Sequence, residues 1–487
     1  MQLRAEKTTM RHFMPLLAAA ALVLSTAQAQ ADLGDQLFKL LADDGAEEDR
    51  FGLSVAISGA TAIVGAYWDD DNGFKSGSAY LFDTTTGKQL FKLLPDDGAA
   101  GDFFGSSVAI SGTTAIVGAY YDDDNGFNSG SAYLFDISNP KNPVQIAKLL
   151  ANDGAERDHF GESVAISGTP SNEIAIVGAH NDDDNGNASG SAYLFDTTTG
   201  KQLFKLLPDD GAAGDFFGLS VSISGAIAIV GARDDDDNGI QSGSAYIFGT
   251  TTGRQIAKLL PDDGAQSDSF GGSVAISGTP GKEVAIVGAT GDADNGYNSG
   301  AAYLFDTITG RQIAKLVARD AAKQDTFGGS VGISGSTAIV GALGNDDNGL
   351  TSGAAYLFDI SDPANPTQVA KLLAHDGAED DLFGISVAIS GAIGNQTAIV
   401  GAWGDDDNGA DSGSAYLFDA ADASACPWDL NGDGEVGPFD LALVLGFWGP
   451  CEEPCTPEAT CTTDLDGDCA TGPFDLALIL GFWGPCP

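Results

Sequence analysis

The sequence predicts an all-β fold, a seven-bladed β-propeller over residues 32–422 closed by its N-terminal strand, followed by a small α-helical module with two calcium-binding loops at 423–487. Three observations predict it: a unit repeated seven times, a strand displaced to the far end of the chain, and two acidic loops offset by 35 residues.

The repeat comes first, because a fixed period decides architecture before any local reading. Phe-Gly recurs at Phe51, Phe104, Phe160, Phe217, Phe270, Phe327 and Phe383, each followed by x-Ser-Val, at spacings of 53 to 57 residues. Each unit also carries Ile-Val-Gly-Ala, beginning at Ile63, Ile116, Ile176, Ile229, Ile286, Ile339 and Ile399. An acidic loop such as Asp69-Asp70-Asp71-Asn72-Gly73 follows, then Ser-Gly-Ser-Ala-Tyr-Leu-Phe-Asp or a close variant.

Within one unit the runs 54–57, 62–66, 78–82 and 89–94 are rich in Val, Ile, Phe and Tyr and are bounded by Gly, Asp and Asn, the chemistry of strands and turns. Apolar residues occupy both faces of most runs, so both faces need cover. Four-stranded blades stacked around an axis supply it. The last unit, 383–419, contains only three such runs, while Gln36 to Leu41 has no unit in front of it and matches Gln89 to Leu94. The N-terminal run is therefore expected to complete the seventh blade and close the ring.

These motifs resemble FG-GAP repeats, the units of the integrin α-subunit propeller and of many bacterial secreted proteins. The resemblance spans roughly residues 35 to 419 and implies a seven-bladed propeller with extracellular recognition or adhesion as its function. It departs from the integrin pattern at one point. The calcium-binding turn between the first two strands is here little more than Ser-Gly without carboxylates, so those sites do not carry over.

The formal net charge is −47, with 69 acidic and 22 basic residues. Such a surface repels nucleic acid and anionic lipid and attracts cations. With 43% apolar residues the chain nevertheless has ample material for a core. Strand alternation puts the Asp-Asp-Asp-Asn-Gly loops and the Asp-Asp-Gly-Ala connections between blades on one face of the disc. Two readings of that face stay open. Asp69, Asp71, Asp122, Asp124 and their equivalents offer oxygen ligands to calcium, or Asn-Gly and Asp-Gly make turns while the carboxylates are solvated. Trp68, Tyr120, Tyr121, Arg233 and Trp403 vary between units and are expected at the mouth of this face as a recognition surface for a protein or glycan ligand.

Catalysis is disfavoured because nearly every polar residue recurs seven times. The serines of Phe-Gly-x-Ser-Val lack the second glycine of a nucleophile elbow and read as structural. His159, His180 and His375 show no metal-ligand spacing and read as solvated loop residues. No enzyme is expected, with a secreted polysaccharide-active enzyme and a non-catalytic structural surface protein as the alternatives.

At the N-terminus, Arg4, Lys7 and Arg11 precede a short apolar run, 16–24, and small-x-small cleavage sites near Ala29. Residues 1–31 read as a signal peptide, the run being too short to span a bilayer. Export to the cell surface, the medium or the periplasm is expected, without membrane insertion after cleavage. All six cysteines fall between Cys426 and Cys486, as in an oxidising compartment.

That C-terminal segment is two copies of one unit. The first loop places Asp429, Asn431, Asp433, the Glu435 carbonyl and Asp440 at positions 1, 3, 5, 7 and 12, with Gly434 at position 6. The second places Asp464, Asp466, Asp468, Ala470 and Asp475 equivalently, but with Cys469 in place of the glycine. A helix is expected over 439–447. The loops resemble dockerin type I repeats more than regulatory EF-hands. The resemblance implies calcium as the cofactor and a cohesin-like partner reading Pro438-Phe439 and Pro473-Phe474, an apolar pair where known dockerins are polar. The alternative is a calcium-stabilised cap. The repeat suggests Cys426–Cys451, Cys461–Cys486 and Cys455–Cys469 among 15 possible pairings, since a module this small needs metal or disulfides for stability.

Overall fold

The computed structural model describes residues 33–169, 172–392 and 395–421, and in the C-terminal part residues 435–436, 438–446, 449–450, 470–471, 476 and 484–485. The expected signal peptide and all six cysteines lie outside the described residues.

Each repeated unit folds as one antiparallel sheet. After an initial strand β1 (Gln36–Leu40), the first unit contributes β2 (Phe51–Ser58), β3 (Thr61–Ala66), β4 (Ser78–Asp83) and β5 (Lys88–Leu93), paired in chain order. Five further sheets repeat this order. The seventh contains Ser386–Ala392, Asn395–Ala402 and Ser414–Asp419. Its fourth strand is β1, which pairs antiparallel with Ser414–Asp419 from Gln36 opposite Phe418 to Leu40 opposite Ala415. Residues 36–419 thus form an all-β propeller of seven blades.

Period-two alternation explains why both blade faces are apolar. In the first blade Ala62, Val64, Tyr80 and Phe82 pack toward the seventh blade, against Ile399 and Leu417, while Ile63, Ala79, Leu81 and Leu93 pack toward Phe104 and Val108 of the second. Phe51 anchors the layer, edge-on to Tyr80 and Phe82 at 5.5 and 5.7 Å. Its equivalents do the same in every other blade.

The repeated glycines and serine mark where blades touch through backbone. A Cβ on Gly65 would lie 1.9 Å from the Gly105 carbonyl oxygen, and one on Gly52 would lie 2.2 Å from that of Ser414. The glycines of Gly-Ala and Phe-Gly therefore face each other across adjacent blades. Ser54 Oγ closes the contact by donating to the Gly105 carbonyl at 2.8 Å. The same hydroxyl-to-carbonyl bond recurs from Ser107, Ser163, Ser220, Ser273, Ser330 and Ser386, the last reaching Gly52 of the first blade. The structural reading of these serines holds. They are blade-to-blade donors.

In the C-terminal part, α1 (Pro438–Gly446) begins with proline at a position where its missing N–H costs nothing. Glu435–Val436 pairs with Gly484–Pro485, and Gly449–Pro450 pairs with Ala470–Thr471. The two pairings are reciprocal: each joins the loop of one copy to the segment beyond the helix position of the other.

One substitution isolates the glycine contact. Gly178 has an ordinary backbone conformation, yet a Cβ there would meet the Gly218 carbonyl oxygen at 1.9 Å. Gly178→Ala is expected to destabilise the protein by about 1–3 kcal/mol through overpacking. A lowered denaturant midpoint in equilibrium unfolding supports this; an unchanged one contradicts the contact.

Candidate functional site: lysine-centred acidic loops and an unrepeated axial mouth

The acidic loops of the first blade converge on a lysine. Lys92, on the outer strand β5, places Nζ 2.8 Å from Asp44, 2.8 Å from Asp69 and 2.6 Å from Asp71. Asp44 comes from the connection before the blade, and Asp69 and Asp71 from the loop between β3 and β4. Both acidic loop families therefore meet, as the strand alternation requires. Tyr80 Oη donates to Asp69 Oδ2 at 2.8 Å and lies 3.1 Å from Asp44. Asp69 is buried, and its Oδ1 also accepts from the Asp71 N–H at 3.0 Å.

This cluster recurs around Lys148, Lys205, Lys258, Lys315, Lys371 and Lys39. Asn345 replaces the buried aspartate in the sixth blade, where Lys371 binds Asp320 and Asp347. Burial works against the charge of Lys92, but its three carboxylate partners outweigh this and raise its pKa. Burial would likewise raise the Asp44 carboxyl, and the Lys92 bond and charge instead hold it below the usual value. The position between Asp69 and Asp71, expected from the sequence to be a calcium site or a solvated turn, is occupied by an ammonium. Asp153, Asp182 and Asp184 have the proximity of metal ligands, as do Asp263, Asp292 and Asp294, and Lys205 and Lys315 bridge them. The signal for it is in the sequence, since one repeated position holds seven of the 22 basic residues, but the sequence analysis assigned that position no role.

Inside this face lies the axial mouth, built from positions that differ between blades. A small axial cavity of about 230 Å³ is lined by the x-Ser-Val segments of all seven units. Around it run contacting rings. The Arg50 guanidinium lies 3.3 Å from the Trp68 ring centre and 4.5 Å from that of Trp403, and Nη1 donates to Tyr67 Oη at 2.7 Å. Tyr67 contacts Phe103, Phe103 stacks on Tyr121 at 4.8 Å, Tyr121 contacts His159 at 5.0 Å, His159 contacts His180 at 5.3 Å, and His180 contacts Phe216 at 5.6 Å. The fifth and sixth blades interrupt the series with Ser269, Thr290, Thr326 and Leu343.

Trp68, Tyr120, Tyr121 and Trp403 thus belong to one surface, as expected. Arg233 does too, placed beside His180 and paired with Asp234 at 3.0 Å. Arg50, Tyr67, Phe103 and Phe216 were missed; they immediately precede Phe-Gly or follow Gly-Ala, the same variable columns. The reading of His159 and His180 as solvated loop residues is corrected. Both are half-buried in the ring series, because the residues flanking the motif turn inward over the axis. Burial, with the neighbouring His159 and Arg233, pushes the His180 pKa down to about 3. His375 is exposed, in agreement with the sequence reading. Glu162, the x of its Phe-Gly-x-Ser, is the acidic member of a column otherwise filled by Leu53, Ser106, Leu219, Gly272, Gly329 and Ile385. Burial pushes its carboxyl up to about 7.

A family model described as FG-GAP repeat matches residues 35–82, 88–135, 143–195, 201–248, 254–305, 311–358 and 366–418. The chain belongs to the FG-GAP repeat family. Seven matched segments correspond to the seven blades, each starting near an outer strand and running through the next three. No curated protein matches the chain.

Of the predicted calcium ligands, Asp429, Asn431, Asp433, Asp464, Asp466, Asp468 and Asp475 lie outside the described residues. Glu435 and Ala470 sit in the reciprocal strand pairs and Asp440 in α1.

The FG-GAP disc carries a pH dependence of its own. Asp49, Asp102, Asp158 and Asp381, buried at the ends of the interblade connections, are pushed up to about 6 by burial and by neighbouring carboxylates. Asp215, Asp268 and Asp325 move the same way. A carboxyl with a raised folded-state pKa stabilises below its unfolded value of 3.8, and that stability is lost as pH rises through about 6. The lysine-paired Asp44 group acts oppositely, losing stability as pH falls below 3.8. His180, from about 6.5 toward 3, and His159, also lowered by burial, lose stability on acidification too, but they are two groups against the seven aspartates and Glu162. The melting temperature in chelator-containing buffer is expected to peak near about pH 4–5 and fall toward pH 7. A flat or rising profile over that range contradicts these assignments.

Proposed function

We propose that this protein is an extracellular ligand-binding or adhesion propeller whose recognition surface is the axial mouth of the acidic face. The single observation that carries this reading is the pattern of exceptions. In a chain repeated seven times, the side chains that differ between blades around one end of the axis form a contacting Arg, Trp, Tyr, Phe and His series over the first four blades and the seventh. Trp, Tyr and Arg dominate binding hot spots, the two aromatics because they bury large area with two χ angles to freeze and Arg because its planar fork makes several hydrogen bonds at once. Exposed Phe74, Phe127, Ile240, Tyr297 and Leu350 at the acidic loop tips supply further apolar contact around it. The carboxylates at the rim favour a neutral or basic protein or glycan ligand.

In this reading residues 1–31 direct export. The pairing of β1 with the last blade supports closure of the ring by the N-terminal strand. The C-terminal unit, with calcium on Asp429, Asn431, Asp433, Glu435 and Asp440 and on the equivalent second loop, acts as a dockerin-like tether toward a cohesin-like partner. The reciprocal strand pairing supports a two-fold module.

Immobilised full-length protein, probed with arrays of glycans and of extracellular matrix proteins, is expected to show saturable binding. Trp68→Ala with Tyr121→Ala should weaken it by about 2 kcal/mol or more, roughly 30-fold. Loss of binding on changing exposed Asp123 and Asp236 instead, with Trp68 and Tyr121 dispensable, would move the site to the loops. Absence of any saturable ligand would favour a structural role.

A further inference from the structure

The third blade brings two histidines of this surface together with the acidic side chain of Glu162. His159, Glu162 and His180 each offer a ligand atom, and these atoms lie within 4.8 Å of one another. They come from three different points of one blade: the residue before Phe-Gly, the residue after it, and the residue after Gly-Ala. No other blade carries this combination in those columns.

Two of the three groups have unsatisfied polar atoms. Glu162 Oε2 and His180 Nδ1 are closed to solvent and have no hydrogen-bond partner. A buried polar atom left unpaired costs about 1–3 kcal/mol, and here a carboxylate oxygen and an imidazole nitrogen are unpaired side by side. The lysine-centred clusters meet this problem with an ammonium; among the described residues no ion pair is formed by Glu162. The Asn181 side chain places its Nδ2 atom 3.0 Å from His159 Nδ1. With its oxygen turned to accept from Nδ1–H, it would fix the ring and leave Nε2 to bind. Tyr121 and Phe216 wall the histidines on either side.

We propose that His159, Glu162 and His180 form a binding site for one divalent transition-metal ion of the zinc class. Two imidazoles and one carboxylate are a borderline-soft donor set that suits zinc over calcium or magnesium, which take oxygen ligands. Three protein ligands leave a coordination position for water or for a donor atom of a bound ligand. This is distinct from the calcium expected in the C-terminal loops, and it does not depend on the axial mouth binding a protein or glycan.

The test is zinc binding to full-length protein, stripped with chelator and followed by calorimetry and by metal analysis after dialysis, with calcium held in excess. Wild type is expected to retain one zinc ion that Glu162→Gln and His180→Asn each lose, while Asn181→Ala binds it about 10–100-fold more weakly. Thermal melting of each variant, in the presence of chelator, separates loss of the site from loss of the fold; Asn181→Ala is the variant to read if His180→Asn fails to fold. Wild-type protein that retains no zinc under these conditions, or zinc uptake unchanged by Glu162→Gln and Asn181→Ala, overturns the proposal.

Discussion

Seven half-buried ammonium groups hold the acidic face together. Each blade brings a carboxylate from the connection before it and, from its own long loop, two more, or one beside Asn345 in the sixth blade. At such separations like charges repel strongly unless something positive stands between them. Lys92 and its equivalents stand there, reaching from the outer strand with a tyrosine hydroxyl alongside. With three donors on a flexible stem, the ammonium suits three converging acceptors. Both loop families can therefore share one end of the disc, and that end can carry a mouth. The contacts are internal to the chain and do not depend on calcium supply.

Beneath this face, stacking depends on backbone proximity. Phe-Gly and Gly-Ala recur because their glycines allow adjacent blades to meet at carbonyl contact, with a serine hydroxyl closing each junction. Repetition then follows from geometry, since every junction imposes the same steric limit. Freedom remains in the loop tips and in the columns flanking the motifs, whose side chains pack on one another around the mouth and not between the blades. Those columns hold Arg50, Trp68, Tyr121, His159, Glu162 and His180. Scaffold and surface are thus separated by position within the unit: what repeats supports the fold, and what does not repeat is available for recognition.

Much of this was legible in the sequence. The seven units, the strand boundaries to within a few residues, the partnership of Gln36–Leu40 with the last unit and the meeting of the acidic loops all follow from periodicity and alternation. α1 was legible as well, from its apolar run behind an acidic loop. The role of the lysines was not, because a lysine on an alternating outer strand normally points to water, and only the three-dimensional convergence of two distant loops turns it inward. The histidines misled for a related reason. His159 and His180 are 21 residues apart, a separation with no helical or hairpin metal signature, and only the turn of the strands over the axis brings them together. Glu162 was visible as the odd acid in its column, but the varying residues singled out from the sequence all follow Gly-Ala, and the column after Phe-Gly was not compared.

Whether the ammonium groups exclude calcium from the acidic face is decided by a calorimetric calcium titration of the full-length protein at neutral pH, repeated on Asp429→Asn with Asp464→Asn. If the lysines occupy the cation positions of the propeller, the double variant takes up no calcium with defined affinity, and any calcium bound by the wild type is bound by the C-terminal loops proposed above. Several ions bound at defined stoichiometry by the double variant would show instead that the acidic loops exchange their ammonium for calcium.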